Sequence, residues 1–215
     1  SLADASLVWP ALLIAALVWI PALQLFFTPA ASTYSGATGV PERARRMAAR
    51  HLALWNDPKQ RADEIDRMRR SNAEWDFMGR TYLILALANM GLRAPASVPA
   101  LLPVIDTIID ETVKVERGNG FRHFLMPYAH HAPFVATPAR SVFVDGELAL
   151  MMGARRMLGE RAELAAQMRE RLAAIEAQMR ASAVLNAESY PDECWLFCNT
   201  VALAAMRTAD HLDGT

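Results

Sequence analysis

The residues best suited to chemistry lie in one short stretch near the carboxyl end of the chain, residues 188–200. It reads ESYPDECWLFCNT, a proline-containing turn followed by a helix-like segment. Asp192 is placed to cap that helix, and Cys194 and Cys198 are four residues apart, so on a helix they would share a face. A helix N-terminus lowers a thiol pKa, which would suit a nucleophilic or acid–base cysteine. The alternative, which the residues alone favour, is two small core cysteines beside an ordinary cap.

A second candidate is residues 121–140, which hold three histidines, three prolines and four aromatic residues without a helical period. Long irregular loops of this kind are often functional. Imidazole and carboxylate side chains suit zinc or iron. The candidate ligands are His123, His130, His131, Asp145 and Glu147. Their spacing fits no metal-ligand motif, so histidines that bond to the backbone or face solvent are favoured, and no metal or other cofactor is predicted.

The most conspicuous element is an uncharged apolar run from Leu7 to Phe27. As a helix it would cover the roughly 30 Å hydrocarbon core of a bilayer. A fully buried helix is the alternative, and a secretory signal is disfavoured because no Lys or Arg precedes the run. We therefore predict a retained, single-pass anchor in the inner membrane, contacting lipid. The side chains expected to mark its ends are Leu7, Trp9, Trp19, Phe26 and Phe27.

The rest of the chain is predicted to be all-α. Residues 1–27 form the anchor, 28–41 a linker rich in small and polar residues, and 42–215 a helical domain. Apolar residues at helical spacing, with turn residues between them, indicate about six helices in antiparallel hairpins. They are expected over 42–55, 62–90, 97–118, 141–158, 161–185 and 192–212. The charged run 155–180 is predicted to be a solvated helix face with ion pairs inside the helix.

Composition narrows the choice of partners. A formal net charge of -1, from 22 basic and 23 acidic residues, argues against a nucleic-acid binder or a polybasic lipid clamp. Two cysteines imply no disulfide scaffold. Four arginines follow the apolar run and weakly favour a cytoplasmic domain. They are Arg43, Arg45, Arg46 and Arg50.

Residues 144–153 (VDGELALMMG), 190–201 (YPDECWLFCNTV) and 210–215 (DHLDGT) together resemble the linalool dehydratase/isomerase family. The similarity runs from about Asn72 to Thr215. It implies an α/α toroid that adds or removes water on a terpene alcohol and shifts its double bond, in a periplasmic setting and without a metal. The similarity ends where the family's toroid is about half built. The resemblance therefore predicts half of an (α/α)6 ring whose apolar inner face a second copy, another subunit or the membrane would cover.

The resemblance also suggests site residues. Cys198 matches one of the family's catalytic cysteines, Ser189 stands near the position of the other, and Glu147 stands where the family has a histidine. Cys194 falls on an aromatic position. A carboxyl can replace a histidine in acid–base chemistry if burial raises its pKa.

Two functional hypotheses follow. The favoured one is a non-catalytic accessory subunit, anchored by its span, that docks the helical domain on other subunits of a respiratory or photosynthetic complex. The other is a membrane-tethered hydro-lyase or isomerase of terpenoid-like allylic alcohols, completed by oligomerisation. Its candidate catalytic residues are Cys198, Glu147, Ser189 and Asp192.

Overall fold

A computed structural model describes residues 2–33 and 39–215, except for the side chains of residues 2–6 and 32. The structure is 78% helical and the described residues form no strand, so the all-α prediction is confirmed. Eight α-helices lie in the described part of the chain. They are α1 (Leu2–Phe27), α2 (Glu42–Asn56), α3 (Pro58–Ser71), α4 (Ala73–Arg93), α5 (Val98–Asn119), α6 (Val142–Arg156), α7 (Ala162–Ala181) and α8 (Leu196–Asp213).

The chain divides into two compact units, Ser1–Arg45 and Arg46–Thr215. In the first unit α1 is apolar on every side, and none of the stretch Leu7–Phe27 is buried. Among the described residues it is the one helix that is long and apolar enough to cross a membrane, by length and composition alone. The five side chains expected to mark its ends are all exposed.

The predicted helix over residues 62–90 is two helices, because Asn72 interrupts it. The Asn72 backbone N–H closes α3 on the carbonyl of Met68, and its side-chain oxygen accepts the backbone N–H of Glu74 to cap α4. One extended residue thus serves both helix ends. Asp57 caps α3 ahead of Pro58 at the first helical position, and its side-chain oxygen accepts the backbone N–H groups of Lys59 and Gln60.

The second unit is built around α6, which packs against α4, α5, α7 and α8. Every residue of α6 except Leu150 is buried. Gly146 and Gly153 lie two turns apart and allow α8 to approach closely. A Cβ atom at Gly146 would lie 3.4 Å from the backbone of Ala202, and one at Gly153 would lie 2.8 Å from the Cγ2 methyl of Thr208. The pair α6 and α8 is therefore the tightly packed centre of the domain.

Two glycines, one inside this packing and one outside it, should respond oppositely to replacement by alanine. Gly153→Ala should destabilise the domain by about 1–3 kcal/mol, because the new methyl group collides with Thr208. The Thr208 hydroxyl is bonded to the Ala204 carbonyl, which hinders its rotation away. Gly79→Ala in α4 meets nothing within 4 Å and should stabilise the domain by up to about 1 kcal/mol through helix propensity. Thermal unfolding of both variants tests this prediction. Equal shifts of the two unfolding temperatures would contradict the close packing of α6 against α8.

The prediction that residues 155–180 form a solvated face was wrong for three arginines. Arg155, Arg156 and Arg171 are buried. Arg155 reaches Asp106 on α5, at 2.7 Å, and Arg171 reaches Asp145 on α6, at 2.6 Å. Ion pairs within a helix, such as Arg180 with Glu176, remain at the exposed end. The buried arginines therefore link α5, α6 and α7 through ion pairs and do not form a solvated face on one helix.

Candidate functional site

The turn from Ala187 to Trp195 positions the candidate site. The Asn199 side chain accepts the Ala187 N–H at 2.8 Å and donates to the Ala187 carbonyl at 3.0 Å. The Ser141 hydroxyl donates to the Ser189 carbonyl at 2.6 Å. These bonds tie the turn to the first turns of both α6 and α8. The backbone of Ser189 is thereby held over the pair of helices that form the centre of the domain.

Glu147, Ser189 and Cys198 come together there, and we call them the acid–base cluster. Their exposed fractions are 2%, 0% and 1%. The Ser189 hydroxyl forms a hydrogen bond with the Cys198 thiol and accepts the Trp195 N–H at 3.1 Å. Glu147 is close enough that its charge raises the pKa of Cys198. Ser189 and Cys198 are thus hydrogen-bonded, Glu147 is buried close enough to act on Cys198 through its charge, and these three are the candidates that the resemblance suggested.

Burial determines the protonation of the cluster. It raises the pKa of Glu147 to about 7, and the hydrogen bond from Thr81 only partly opposes this. No ion pair of Glu147 is present among the described residues. Burial also raises the pKa of Cys198 to about 11, with further contributions from the charges of Glu147 and Glu74. At neutral pH the thiol is therefore neutral, and Glu147 is poised between its two forms.

The lowered thiol pKa, which was the less favoured of the two interpretations, is therefore not found, and Cys198 is a core residue as the other interpretation had it. Cys198 lies in the first turn of α8, but desolvation and two nearby carboxylates outweigh the helix dipole. Cys194 precedes α8 and is exposed, so the two cysteines do not share a helix face. Its pKa is also raised, by burial and by the charges of Glu188 and Asp192.

Asp192 is not the cap of α8. The helix begins at Leu196, its N-cap residue is Trp195, and no side chain caps it. Asp192 instead occupies the left-handed region, with φ of 60°, at the apex of the turn. Its N–H donates to the Glu188 carboxylate at 2.6 Å. The structure therefore places Asp192 beside Cys194 in the turn, and gives it no contact with the acid–base cluster.

The histidines of residues 121–140 are not gathered into a metal site. His123 is half-buried, while His130 and His131 are exposed. The part of the chain that the structure describes contains no group of three His, Cys, Asp or Glu residues able to hold a metal ion. Both carboxylate oxygens of Asp145 are bonded by Arg140, and Arg171 shares one of them. Asp145 therefore serves the buried ion pairs.

Two residues near the cluster had no role in the sequence analysis. Thr81 on α4 bonds to Glu147. The Tyr190 hydroxyl donates to the Glu74 carboxylate and accepts the Met126 N–H at 2.8 Å. The Tyr190 ring also stacks between Tyr128 and Trp195. In the sequence, Tyr190 stands out only because it directly precedes a proline in the predicted turn. No feature of the sequence distinguishes Thr81.

Apolar surface is exposed around the site. On α8, Leu196 is 77% exposed and Leu203 is 56% exposed, with Phe197 beside them. On α4, Trp75 and Tyr82 are exposed two turns apart on one face. We call these five residues the apolar faces of α4 and α8. Large apolar side chains that share an exposed helix face are candidates for contact with a protein or a membrane.

A cavity of about 690 Å³ shares the turn with the acid–base cluster but does not open on it. Ala174, Ala177 and Ala181 of α7 form an apolar wall, and Cys194 lies in the opposite lining. Glu188 also lines it, but its carboxylate oxygens accept the N–H groups of Val135, Ala136 and Asp192. The cavity is thus mainly apolar, and its one buried carboxylate holds the turn in place.

We compared the chain with protein-family models, curated proteins and solved structures, and none of them matches it.

Proposed function

We propose that this chain is a membrane-anchored helical enzyme module that adds water to, or removes it from, apolar allylic alcohols of the terpenoid type. The observation that carries the proposal is the state of Glu147: a carboxyl 2% exposed, with a pKa raised to about 7, beside Cys198 and Ser189. Leaving a carboxyl buried without a cation destabilises a fold, and such groups cluster at functional sites.

The chemistry requires a group that both gives and takes a proton near neutral pH. Protonated Glu147 gives its proton to the departing hydroxyl, and water leaves as the carbon–oxygen bond breaks. The Glu147 carboxylate then takes a proton from the neighbouring carbon, so that a carbon–carbon double bond forms and Glu147 is restored. A pKa near the working pH suits both halves of this cycle. The neutral Cys198 thiol and the Ser189 hydroxyl orient the substrate hydroxyl beside Glu147.

Substrate entry requires movement, because the cluster is buried in the single chain. The turn 187–195 carries Ser189 of the cluster, and the exposed Leu196 and Phe197 directly follow it. An apolar substrate would contact these two exposed apolar side chains first. The helix α1 supports a location at the inner membrane, where such alcohols partition, with the domain on the periplasmic side as the family resemblance implies.

Activity is the direct test. The full chain in mild detergent is incubated with a tertiary allylic terpene alcohol, and volatile products are measured by gas chromatography. Glu147→Gln should reduce turnover at least about 100-fold, because it keeps the shape but cannot exchange a proton. Glu176→Gln, at an exposed pair with Arg180, is the control and should retain full activity. The enzyme proposal fails if wild-type protein has no turnover, or if Glu147→Gln keeps it.

The second candidate is the accessory subunit, and the apolar faces of α4 and α8 favour it. Together with α1 they offer surface for lateral packing in a larger respiratory or photosynthetic assembly. Co-purification with different chains at fixed stoichiometry, lost when Leu203→Asp places a charge on the α8 face, would favour this role. Purification as a homo-oligomer alone, unaffected by Leu203→Asp, would contradict it.

A further inference from the structure

A second cavity, of about 430 Å³, lies where α3 meets α4 and faces the segment after α5. Its lining combines basic and polar side chains with the apolar residues Leu125, Met126 and Pro127, and contains no carboxylate. The residues that define its chemistry are Arg69, Arg70, Arg122, His123, His130 and Asn72. We call it the arginine pocket. Two of its histidines are ones that the sequence pattern singled out and that the acid–base cluster does not use.

The positive charge of the arginine pocket is only partly neutralised. Arg69 lies 3.4 Å from Asp76, but Asp76 also binds Arg80, at 2.8 Å. Arg70 pairs with Asp66, and that pair is exposed. The three arginines of the lining, Arg69, Arg70 and Arg122, thus have two paired carboxylates, Asp66 and Asp76, and Asp76 is shared with Arg80 outside the lining.

Arg122 is the clearest case of an unneutralised charge. Its guanidinium donates to the backbone carbonyls of Ala129 and Ala132, and no carboxylate of the described residues accepts from it. Phe121 and Phe134 flank it at 6.0 and 5.0 Å. Carbonyls and aromatic faces stabilise a cation without cancelling its charge. The pocket therefore holds a net positive potential although the whole chain carries a formal net charge of -1.

The pKa of His123 is consistent with a positive potential in the arginine pocket. The charges of Arg69 and Arg80 lower the pKa of His123, in addition to the larger effect of burial, while Asp76 opposes them. Glu74 does not line the pocket, but among the described residues its carboxylate accepts only the neutral Tyr190 hydroxyl, which itself accepts the N–H of the lining residue Met126, so its charge offsets part of the arginines' field. The end of α3 and the start of α4 meet there, and their opposed dipoles offset each other, so the arginines provide the field.

We propose that the arginine pocket binds a phosphate group, either as a free phosphate or phosphomonoester or as the headgroup of an anionic lipid. Guanidinium forks match the oxygens of a tetrahedral phosphate, and several arginines around one concave site are typical of phosphate recognition. An imidazole N–H of His123 or His130 can donate a further hydrogen bond. This site is separate from the proposed hydro-lyase activity and does not depend on it.

Two arginines of α3 give a matched test. The side chains of Arg70 and Arg67 are 69% and 70% exposed, and each pairs with one carboxylate of its own helix. Only Arg70 lines the pocket. Neither replacement by glutamine removes a contact between helices, so both variants should fold.

Inorganic phosphate is titrated by calorimetry into the full chain, held in phosphatidylcholine nanodiscs. Arg70→Gln should weaken binding about three- to tenfold, whereas Arg67→Gln should change it less than twofold. In a second arm, native mass spectrometry counts the phosphatidic acid retained from mixed nanodiscs. Phosphate binding that depends on Arg70 identifies a soluble ligand. Phosphatidic acid retention that depends on Arg70, without phosphate binding, identifies a lipid headgroup. Binding in neither arm, or equal effects of the two variants, overturns the proposal.

Discussion

Replacing Glu147 with glutamine should stabilise the helical domain by about 3 kcal/mol at pH 8 and leave its stability unchanged at pH 4. In the folded chain burial raises the pKa of Glu147 from 4.5 to about 7. Between these values the folded state holds a proton that the unfolded state has released, so wild-type stability falls as pH rises. Below that window both states are protonated, and above it the full cost of the buried charge is present. Glutamine has no such charge at any pH.

Urea unfolding of the full chain in mild detergent, followed by circular dichroism at pH 4, 6 and 8, measures this difference. Glu176→Gln is the control, since Glu176 is exposed and paired with Arg180 on its own helix. We expect it to change stability by less than about 1 kcal/mol at every pH. Parallel curves for wild type and Glu147→Gln across the pH range would mean that Glu147 is not desolvated, and the acid–base proposal would lose its main support.

Arg171→Met should destabilise the domain by about 3–5 kcal/mol. Arg171 lies between two carboxylates: it donates to Asp145 on α6 at 2.6 Å and to Glu116 on α5 at 3.0 Å. Methionine fills much of the same volume but leaves Glu116 without this partner and Asp145 with only Arg140. The loss comes from carboxylates left poorly compensated in a desolvated site rather than from lost packing.

Arg180→Met is the matched control, because Arg180 lies on the same helix and pairs with Glu176 in solvent. Its replacement should cost less than about 1 kcal/mol. Thermal or urea unfolding of the two variants provides the comparison. If both arginines prove equally dispensable, residues 155–180 are a solvated face after all, and the buried ion pairs do not hold α5, α6 and α7 together.

Some features of the fold could be predicted because neighbouring residues alone produce them. The uncharged run Leu7–Phe27 makes α1 apolar on every side, whatever surrounds it. Asp57 and Pro58 start α3 through bonds that span only a few residues. The helical period around Leu101–Val113 predicts an apolar stripe of six side chains, and five of them are buried in α5 while Leu102 is half-buried. The five are Leu101, Ile105, Ile108, Ile109 and Val113. Local geometry and hydrophobic period suffice for such elements.

Other boundaries depend on hydrogen bonds that a helical period does not predict. The start of α8 at Leu196 rather than Asp192 reflects the way in which Asn199 and Glu188 hold the preceding turn. Because those bonds reach across the turn, Asp192 adopts a left-handed conformation that its residue type permits but does not require. A run of helix-forming residues cannot reveal where such a turn ends.

The sequence by itself determined the helical class of the domain and the apolar helix α1, and its resemblance to a known family suggested Glu147, Ser189 and Cys198 as candidate site residues. Only the tertiary structure brought those three residues together and decided their protonation. A pKa depends on how much water and which charges surround a group, and the neighbours of Glu147 come from α4 and α8, more than fifty residues away in either direction. For the same reason the sequence shows Arg122 only as one more basic residue. The folded chain shows that its partners are backbone carbonyls, which leave its positive charge available to the anion that we propose.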